Sequence, residues 1–216
     1  MPRTADHDAR REQILTGLIE VALREGLPRV TIPRVAAAAG ISIGLVQHYF
    51  PTKDGLLAAA HAAVWDRIER RADAGVTRAE ARHARIEHIL ADALCELIPL
   101  DEERRREWYL TRTFSAAALD DPELLGALVA AQGRLRARVA GAIANGRSCG
   151  EVVDDLDEHL EAAALLARVM GLADQAGWRT GITEAEVRRI VAWDCATVFR
   201  GPCTRELGDS AATHSG

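Results

Sequence analysis

Apolar side chains recur every three or four residues along most of the chain, and stop signals separate the stripes they form. The first stripe holds Ile14, Leu18 and Ala22, and Gly26 is placed to end it. Alanine and leucine supply much of the 48% hydrophobic share, whereas aromatic residues supply only 4%, a balance that favours helix over sheet. The sequence shows no strand-like alternation of any length and no internal repeat. It therefore predicts an all-α fold of nine helices followed by a tail.

Local capping signals place the helix ends. Thr31, Ser42 and Thr52 each stand where an N-cap is expected, and Pro51 ends the helix that Ser42 opens. The segments Thr77–Glu80 and Thr183–Glu186 have the form of capping boxes and predict helix starts before the apolar stripes at 86–97 and 187–198. A long helix is expected to begin at 121–122 and to end at 145–146, with a polar turn over 147–155.

Several classes of protein are disfavoured by the sequence. The apolar runs are short of the roughly 20 residues that a membrane span needs, and the first residues lack the apolar core of a secretory signal, so we expect a cytoplasmic protein. The cysteines at 95, 149, 195 and 203 show no metal-binding spacing, so we expect no metal and no cofactor. A redox role for Cys195 or Cys203 stays open as the less favoured alternative to plain thiols.

A short match to an enzyme motif is interpreted as chance. Residues 146–150 read GRSCG and fit the nucleophile pattern G-x-S-x-G, but that motif needs a strand before it and a helix directly after. A helix is predicted before it and an acidic turn after it. The chain also lacks HExxH, P-loop and dinucleotide-binding patterns, so we do not expect an enzyme.

Residues 31–50, TIPRVAAAAGISIGLVQHYF, carry the strongest functional signal. Two short helices are predicted to meet at Gly40, which tolerates the left-handed backbone of a tight turn. Ala36 is small enough for the second helix to cross closely. The apolar residues that a helix-turn-helix must hide are Val35, Ala39, Ile41, Val46 and part of Tyr49. The pattern favours a DNA-binding helix-turn-helix over the alternative, an ordinary corner between two helices.

This stretch resembles the N-terminal signature of the TetR family of bacterial transcriptional regulators, most specifically at S-I-G-L-V-Q-H-Y-F-P-T-K-D-G-L-L, residues 42–57. The resemblance covers about residues 10–58. Most members carry Tyr at the position of Gln47, and many carry Thr at that of Leu45. A small polar residue before His-Tyr-Phe is similar to the BetI-type branch, which residues 162–199 also resemble loosely.

The resemblance implies that residues 43–50 enter the major groove of operator DNA. Ile43, Gly44 and Gln47 would then face the bases, with Gln47 able to pair with adenine. The phosphate contacts it implies are Thr31, Arg34, Ser42, His48, Tyr49 and Lys53. Packing against the first helix is an equally favoured role for Tyr49. Because Gln47 replaces Tyr, the operator sequence cannot be carried over from the family.

Any binding of phosphate must depend on the placement of individual basic residues rather than on the total charge. Residues 1–55 carry 7 basic and 6 acidic side chains, and the remainder carries a net charge of −6. Of the 27 basic residues only Lys53 is lysine, and it stands in the first turn of the helix that Thr52 caps. We interpret Lys53 as a flexible phosphate clamp, with accidental exposure as the alternative.

The resemblance also implies domains and partners. Residues 1–52 would bind DNA, 53–200 would bind an effector and dimerise, and 201–216 would be a disordered tail. Helices near 156–176 and 183–200 would form the homodimer. Small-molecule contacts are expected from Trp65, Trp108, Arg112, Phe114 and Met170, although a surface position is the favoured alternative for Arg112.

The function expected from these features is that of a ligand-responsive repressor that binds a palindromic operator as a homodimer. The alternative is a helical small-molecule-binding protein that has lost DNA binding. The weak positive charge of residues 1–55 keeps that alternative open.

Overall fold

The computed structural model describes the backbone of residues 2–202 and the side chains of residues 6–202. Within that range the chain forms nine α-helices and one 3-10 helix, without a strand, which confirms the all-α prediction. The helices are α1 (Pro2–Glu25), a 3-10 turn (Leu27–Arg29), α2 (Ile32–Ala39), α3 (Ile43–Tyr49), α4 (Lys53–Glu80), α5 (Ile86–Cys95), α6 (Glu102–Ala117), α7 (Pro122–Ser148), α8 (Glu158–Gly177) and α9 (Glu184–Val198). The expected tail lies mostly outside the described residues, at 203–216.

Two compact units divide the chain. In the described range, the first comprises residues 2–67 and 106–131, and the second comprises residues 68–105 and 132–202. Helices α4, α6 and α7 therefore each contribute residues to both units. The expected division into a DNA-binding domain over 1–52 and an effector-binding domain over 53–200 concerns function, and it stays a prediction. No helix in the described range has the length and apolar character needed to cross a membrane.

Most of the predicted helix ends are confirmed. Gly26 follows α1 with a φ of 87°, in the left-handed region that glycine tolerates. The Thr52 hydroxyl accepts a hydrogen bond from the Gly55 N–H at 3.0 Å and so caps α4. At α9 the Thr183–Glu186 capping box is complete, since each side chain accepts a hydrogen bond from the other residue's backbone N–H.

Two predicted helix ends are wrong. Thr77–Glu80 opens no helix, because α4 continues to Glu80 and the chain breaks later, where His83 adopts a φ of 55°. The turn at 145–146 does not end α7, which runs on to Ser148. Gly146 is instead a packing glycine: a Cβ there would lie 2.5 Å from a ring carbon of Phe199. A contact with a residue more than fifty positions away overrides the local stop signal.

In the second unit, α9 packs against α5 and α8. Val187, Val191 and Val198 are buried in this core, at 1% exposure or less. A homodimer through the helix near 183–200, as expected from the sequence, cannot use these three residues, because α9 buries them inside its own chain.

Candidate nucleic-acid interface and effector cavity

The turn between α2 and α3 is built by backbone hydrogen bonds around Gly40. The Gly40 N–H donates to the Ala37 carbonyl at 3.2 Å, and the Ile41 N–H donates to the Ala36 carbonyl at 3.0 Å. This pairing is a Schellman motif, and Gly40 holds the required left-handed conformation at φ 66° and ψ 33°. The predicted role of Gly40 is therefore confirmed, and the turn fixes the direction in which α3 leaves α2.

Helix α1 supports the turn from behind. The Gln13 side-chain amide donates a hydrogen bond to the Ala39 carbonyl at 2.6 Å. One turn later, a Cβ on Gly17 would lie 2.9 Å from the Ala39 backbone nitrogen, so only glycine lets the two helices approach this closely. Sequence reasoning missed both residues. A glycine in the middle of an apolar helical stripe was the signal that could have found Gly17.

Helix α3 buries one side and exposes the other. Val46 is fully buried against the unit's core, whereas Ile43, Gly44 and Gln47 are exposed. Ile43 is a large aliphatic side chain at 46% exposure. The Ser42 hydroxyl caps α3 by accepting from the Leu45 N–H at 3.2 Å. The three residues expected to face bases thus share the outward side of one capped helix.

The residues expected to contact phosphate lie at the surface around this helix. Thr31, His48 and Lys53 are exposed, and Lys53 makes no ion pair with any described residue. Arg34 is also exposed, but its guanidinium donates to the Glu25 carboxylate at 2.6 Å. A hydrogen bond from Arg24, together with the charge of Arg34, lowers the pKa of the Glu25 carboxyl. The positive charge of Arg34 is therefore already paired with a carboxylate, whereas that of Lys53 is not.

Tyr49 is half-buried and contacts two histidine rings. Its ring centroid lies 4.7 Å from that of His7 and 5.5 Å from that of His48. These contacts agree with a packing role for the ring and leave the phosphate contact a prediction. His7 of α1 was not anticipated from the sequence.

A cavity lies wholly within the second unit. It has a volume of about 1070 Å³, is partly open to solvent, and is lined by the C-terminal part of α4, by α5, by the second half of α7 and by residues 148–151. Aliphatic side chains form most of its wall, among them Ile68, Val76, Leu90 and Leu135. This volume is in the range of small-molecule sites in proteins.

The five residues predicted to contact a ligand do not line this cavity. Trp65 and Phe114 are buried in the first unit, where both contact the buried His61: the Trp65 indole N–H donates to His61 Nε2 at 3.0 Å, and the Phe114 ring lies 5.8 Å from the imidazole. Trp108 and Arg112 are half-buried on α6, and Met170 is half-buried on α8. Their ligand role stays a prediction.

Two of the described cysteines, Cys95 and Cys195, are free and buried thiols. Burial raises the pKa of Cys95 to about 11 and that of Cys195 to about 12. At neutral pH both stay protonated, which opposes the redox role considered for Cys195. Cys203 lies outside the described residues. The described part of the chain contains no group of three or more potential metal ligands.

Comparison with known proteins gives two family matches. Residues 14–60 match the model of bacterial regulatory proteins of the tetR family, and residues 84–200 match that of BetI-type transcriptional repressors, C-terminal. The HTH-type transcriptional regulator PksA of Bacillus subtilis (strain 168) is 30% identical over 173 residues, which cover 80% of this chain and 81% of PksA.

Solved structures share the fold. A transcriptional regulator from Rhodococcus sp. Rha1 superposes with a TM-score of 0.72 at 27% identity, over 88% of this chain and 96% of that one. A protein from Saccharomonospora viridis, whose crystal structure is in complex with choline, superposes with a TM-score of 0.66 at 22% identity, over 85% and 94% of the two chains.

Proposed function

Because the chain belongs to the TetR family of bacterial regulatory proteins, with a C-terminal part of the BetI type, we propose that it represses transcription by binding a palindromic operator as a homodimer. Like its relatives, it is a transcriptional regulator and not an enzyme. One observation carries the proposal: α3 exposes Ile43, Gly44 and Gln47 together on one face, on a turn fixed by the Gly40 hydrogen bonds.

The exposed face of α3 has the chemistry of base recognition. The Gln47 side-chain amide has both a donor and an acceptor, which match N7 and N6 of adenine in the major groove. The exposed Ile43 side chain offers an apolar surface that could contact a thymine methyl group. Apart from the chain neighbours and the backbone of α3 itself, no atom lies within 4 Å of a Cβ built on Gly44, so this position is open for DNA to approach the backbone.

Phosphate contacts would hold α3 in register. Thr31, Ser42 and His48 offer polar groups at the surface, and Lys53 offers an unshared positive charge at the start of α4. The first turn of α4 has backbone N–H groups and a helix dipole that also favour an anion. Arg34 would contribute by exchanging or sharing its bond to Glu25.

The dimer would form through the outward sides of α8 and α9. Leu160 and Trp193 are exposed at 65% and 67%, although both are large and apolar. Ala167 and Gly171 are exposed on the same side of α8 as Leu160, at helical spacing, and nothing lies within 4 Å of a Cβ built on Gly171. Two helices from each subunit would make a four-helix bundle and present two recognition helices to half-sites about 34–36 Å apart or at a related spacing.

The cavity of the second unit would bind the effector, and the protein would act in the cytoplasm. The choline complex of the S. viridis protein supports a small-molecule effector in general, without identifying the one that acts here. Effector binding would lower operator affinity only if the two DNA-binding states of the protein bind the effector with different affinities.

Selection from a random pool of DNA duplexes tests the proposal without knowledge of the regulated genes. The purified protein should enrich a two-fold symmetric sequence, and a labelled duplex of that sequence should shift in a gel at low salt. Sedimentation should give a dimer for the wild type and a monomer for Trp193→Glu. Leu119→Glu, at an 82% exposed position outside α8 and α9, should remain dimeric.

Two outcomes would contradict the proposal. Enrichment of no sequence, with a folded dimeric protein, would favour a binding protein that has lost DNA recognition. A Trp193→Glu protein that sediments as a dimer would place the interface elsewhere.

A further inference from the structure

The cavity of the second unit is lined by aliphatic side chains and carboxylates rather than by aromatic rings. Among the described residues that line it, the imidazole of His83 is the one ring. Its ionisable side chains are three carboxylates, Glu69, Glu80 and Glu151, and one guanidinium, Arg138, besides that imidazole. Two of these carboxylates face guanidinium groups: Glu69 lies 3.9 Å from Arg134 and 3.6 Å from Arg138, and Glu151 lies 3.6 Å from Arg85. The chemistry of the wall therefore selects against some ligand classes and favours others.

One oxygen of the Glu69 carboxylate accepts no hydrogen bond, although the carboxylate faces two guanidinium groups. Its Oε1 atom is buried and accepts no hydrogen bond within the described part of the chain. The Arg134 guanidinium forms an ion pair with that oxygen at 3.9 Å, which is beyond hydrogen-bonding distance. A buried carboxylate oxygen without a donor is destabilising, and a ligand N–H group would relieve that cost.

Arg138 is engaged with acids of its own unit. Its guanidinium donates to the Asp73 carboxylate and lies 3.6 Å from Glu69 Oε2. The guanidinium that lines the cavity is thus shared between two carboxylates. A carboxylate or phosphate ligand would have to compete with both of them for Arg138, and it would offer no N–H donor to the Glu69 oxygen.

Quaternary ammonium ions fit the cavity poorly for a different reason. They carry no N–H group, so they cannot satisfy the Glu69 oxygen. Proteins bind them against the faces of Trp, Tyr or Phe rings, and the cavity wall lacks such rings among its described residues.

We propose that the effector of this regulator is an aliphatic amine whose protonated nitrogen carries N–H groups, with the nitrogen at Glu69 and the hydrocarbon chain against the wall formed by α4, α5 and α7. The inference rests on the proposed effector role of the cavity. An N–H donor and a positive charge match the Glu69 carboxylate. The hydrocarbon chain matches side chains such as Ile89, Leu94 and Val139.

Three probes of equal chain length test the head group: octylamine, octanoate and octyltrimethylammonium, each below its micelle concentration. Thermal unfolding of the full chain is measured with each, because a ligand that binds only the folded state raises the melting temperature. Octylamine should raise it in a saturable way. Octanoate and octyltrimethylammonium should raise it much less at the same concentration.

Two variants place the amine at Glu69. Glu69→Gln keeps the size of the side chain and should lower octylamine affinity about 10- to 100-fold, the range expected for a hydrogen bond to a charged group. Asp92→Asn removes a carboxylate from an exposed position of α5 outside the cavity and should leave the affinity unchanged. Ala72→Phe would fill the cavity one turn from Glu69 and should abolish octylamine binding.

The proposal is wrong if octanoate or octyltrimethylammonium binds as tightly as octylamine, if no probe binds, or if Glu69→Gln binds octylamine like the wild type. Gel shifts with the selected operator separate these outcomes from the function itself. If the protein binds its operator but none of the probes, the proposed amine effector is refuted and the proposed DNA-binding function still stands.

Discussion

Replacing Gly17 by alanine tests how closely α1 must approach the helix-turn-helix. A Cβ at this position would lie 2.9 Å from the Ala39 nitrogen, 3.0 Å from the Ala39 Cβ and 3.1 Å from the Val35 carbonyl oxygen. Two of these three atoms belong to the backbone, so no side-chain rotation removes the clash. Helix α1 or the end of α2 must move by some tenths of an ångström.

The expected size follows from two opposed effects. Alanine is favoured over glycine inside a helix by about 1 kcal/mol. Overpacking a well-packed contact typically costs about 1–3 kcal/mol. Gly17→Ala should therefore lose about 1 kcal/mol of the free energy of unfolding. Gly133→Ala, on an exposed position of α7 with nothing within 4 Å of the added Cβ, should gain up to about 1 kcal/mol.

Thermal unfolding of the two variants beside the wild type measures this difference. For a protein of this size about 1 kcal/mol shifts the melting temperature by about 2–4 °C, so the variants should differ by about 4–8 °C. Gly17→Ala should also bind the selected operator more weakly, because Ala39 adjoins the Gly40 turn that directs α3. If Gly17→Ala is as stable as Gly133→Ala and binds the operator like the wild type, the close approach has no structural importance.

Three further predictions concern single side chains. Gln47→Ala should relax base preference at one position of each half-site, with a loss of about 1–3 kcal/mol against the preferred base, measured by binding to duplexes that vary at each position. Lys53→Ala should weaken binding to all duplexes alike and lower the salt slope of binding by about one per half-site. The control Arg82→Ala removes an exposed charge outside the motif and should change neither quantity. A change of base preference in Lys53→Ala would show that Lys53 contacts bases rather than phosphate. Cys195 should resist iodoacetamide at pH 7.5 in the folded protein and react after denaturation, because burial and a thiol pKa of about 12 leave almost no accessible thiolate at pH 7.5; labelling of Cys195 in the folded protein, detected by mass spectrometry, would contradict this.

Signals that act within one turn of helix were sufficient to predict most of the fold. Ser42, Thr52 and Thr183 cap their helices through hydroxyl groups whose partners lie three residues further along the chain. Gly40 bends the chain by its own φ and ψ angles. In these cases the physical cause is contained in the local sequence, so reading the sequence recovers it.

The candidate site was predictable in part, for the same reason. Exposure of Ile43 and Gln47 follows from the helical period of α3 once Val46 is buried. The cavity depends instead on which faces of α4, α5 and α7 converge, and no local pattern specifies that. Trp65 and Phe114, whose ligand role stays a prediction, lie outside this cavity and are buried around His61.

The start of α5 shows how a local rule can identify a physical need and miss the group that meets it. The first N–H groups of a helix need acceptors, and Thr77–Glu80 was expected to supply them. Those residues lie inside α4, and the N-cap residue of α5, Arg85, makes no side-chain capping bond. The acceptor is Glu151, whose carboxylate oxygens lie 3.4 Å and 3.3 Å from the N–H nitrogens of Ile86 and Glu87.

The surroundings of Glu151 explain how a residue of an apparent polar turn becomes fully buried. Its carboxylate lies 3.6 Å from the Arg85 guanidinium, and its carbonyl accepts a hydrogen bond from the Gly201 N–H at 2.8 Å. Arg85 in turn donates to the Gly201 carbonyl at 3.1 Å. A buried carboxylate is tolerated only where such partners surround it, and these come from segments far apart in the chain. The burial of Glu151 is therefore a property of the assembled second unit, and sequence patterns restricted to neighbouring residues had no means of predicting it.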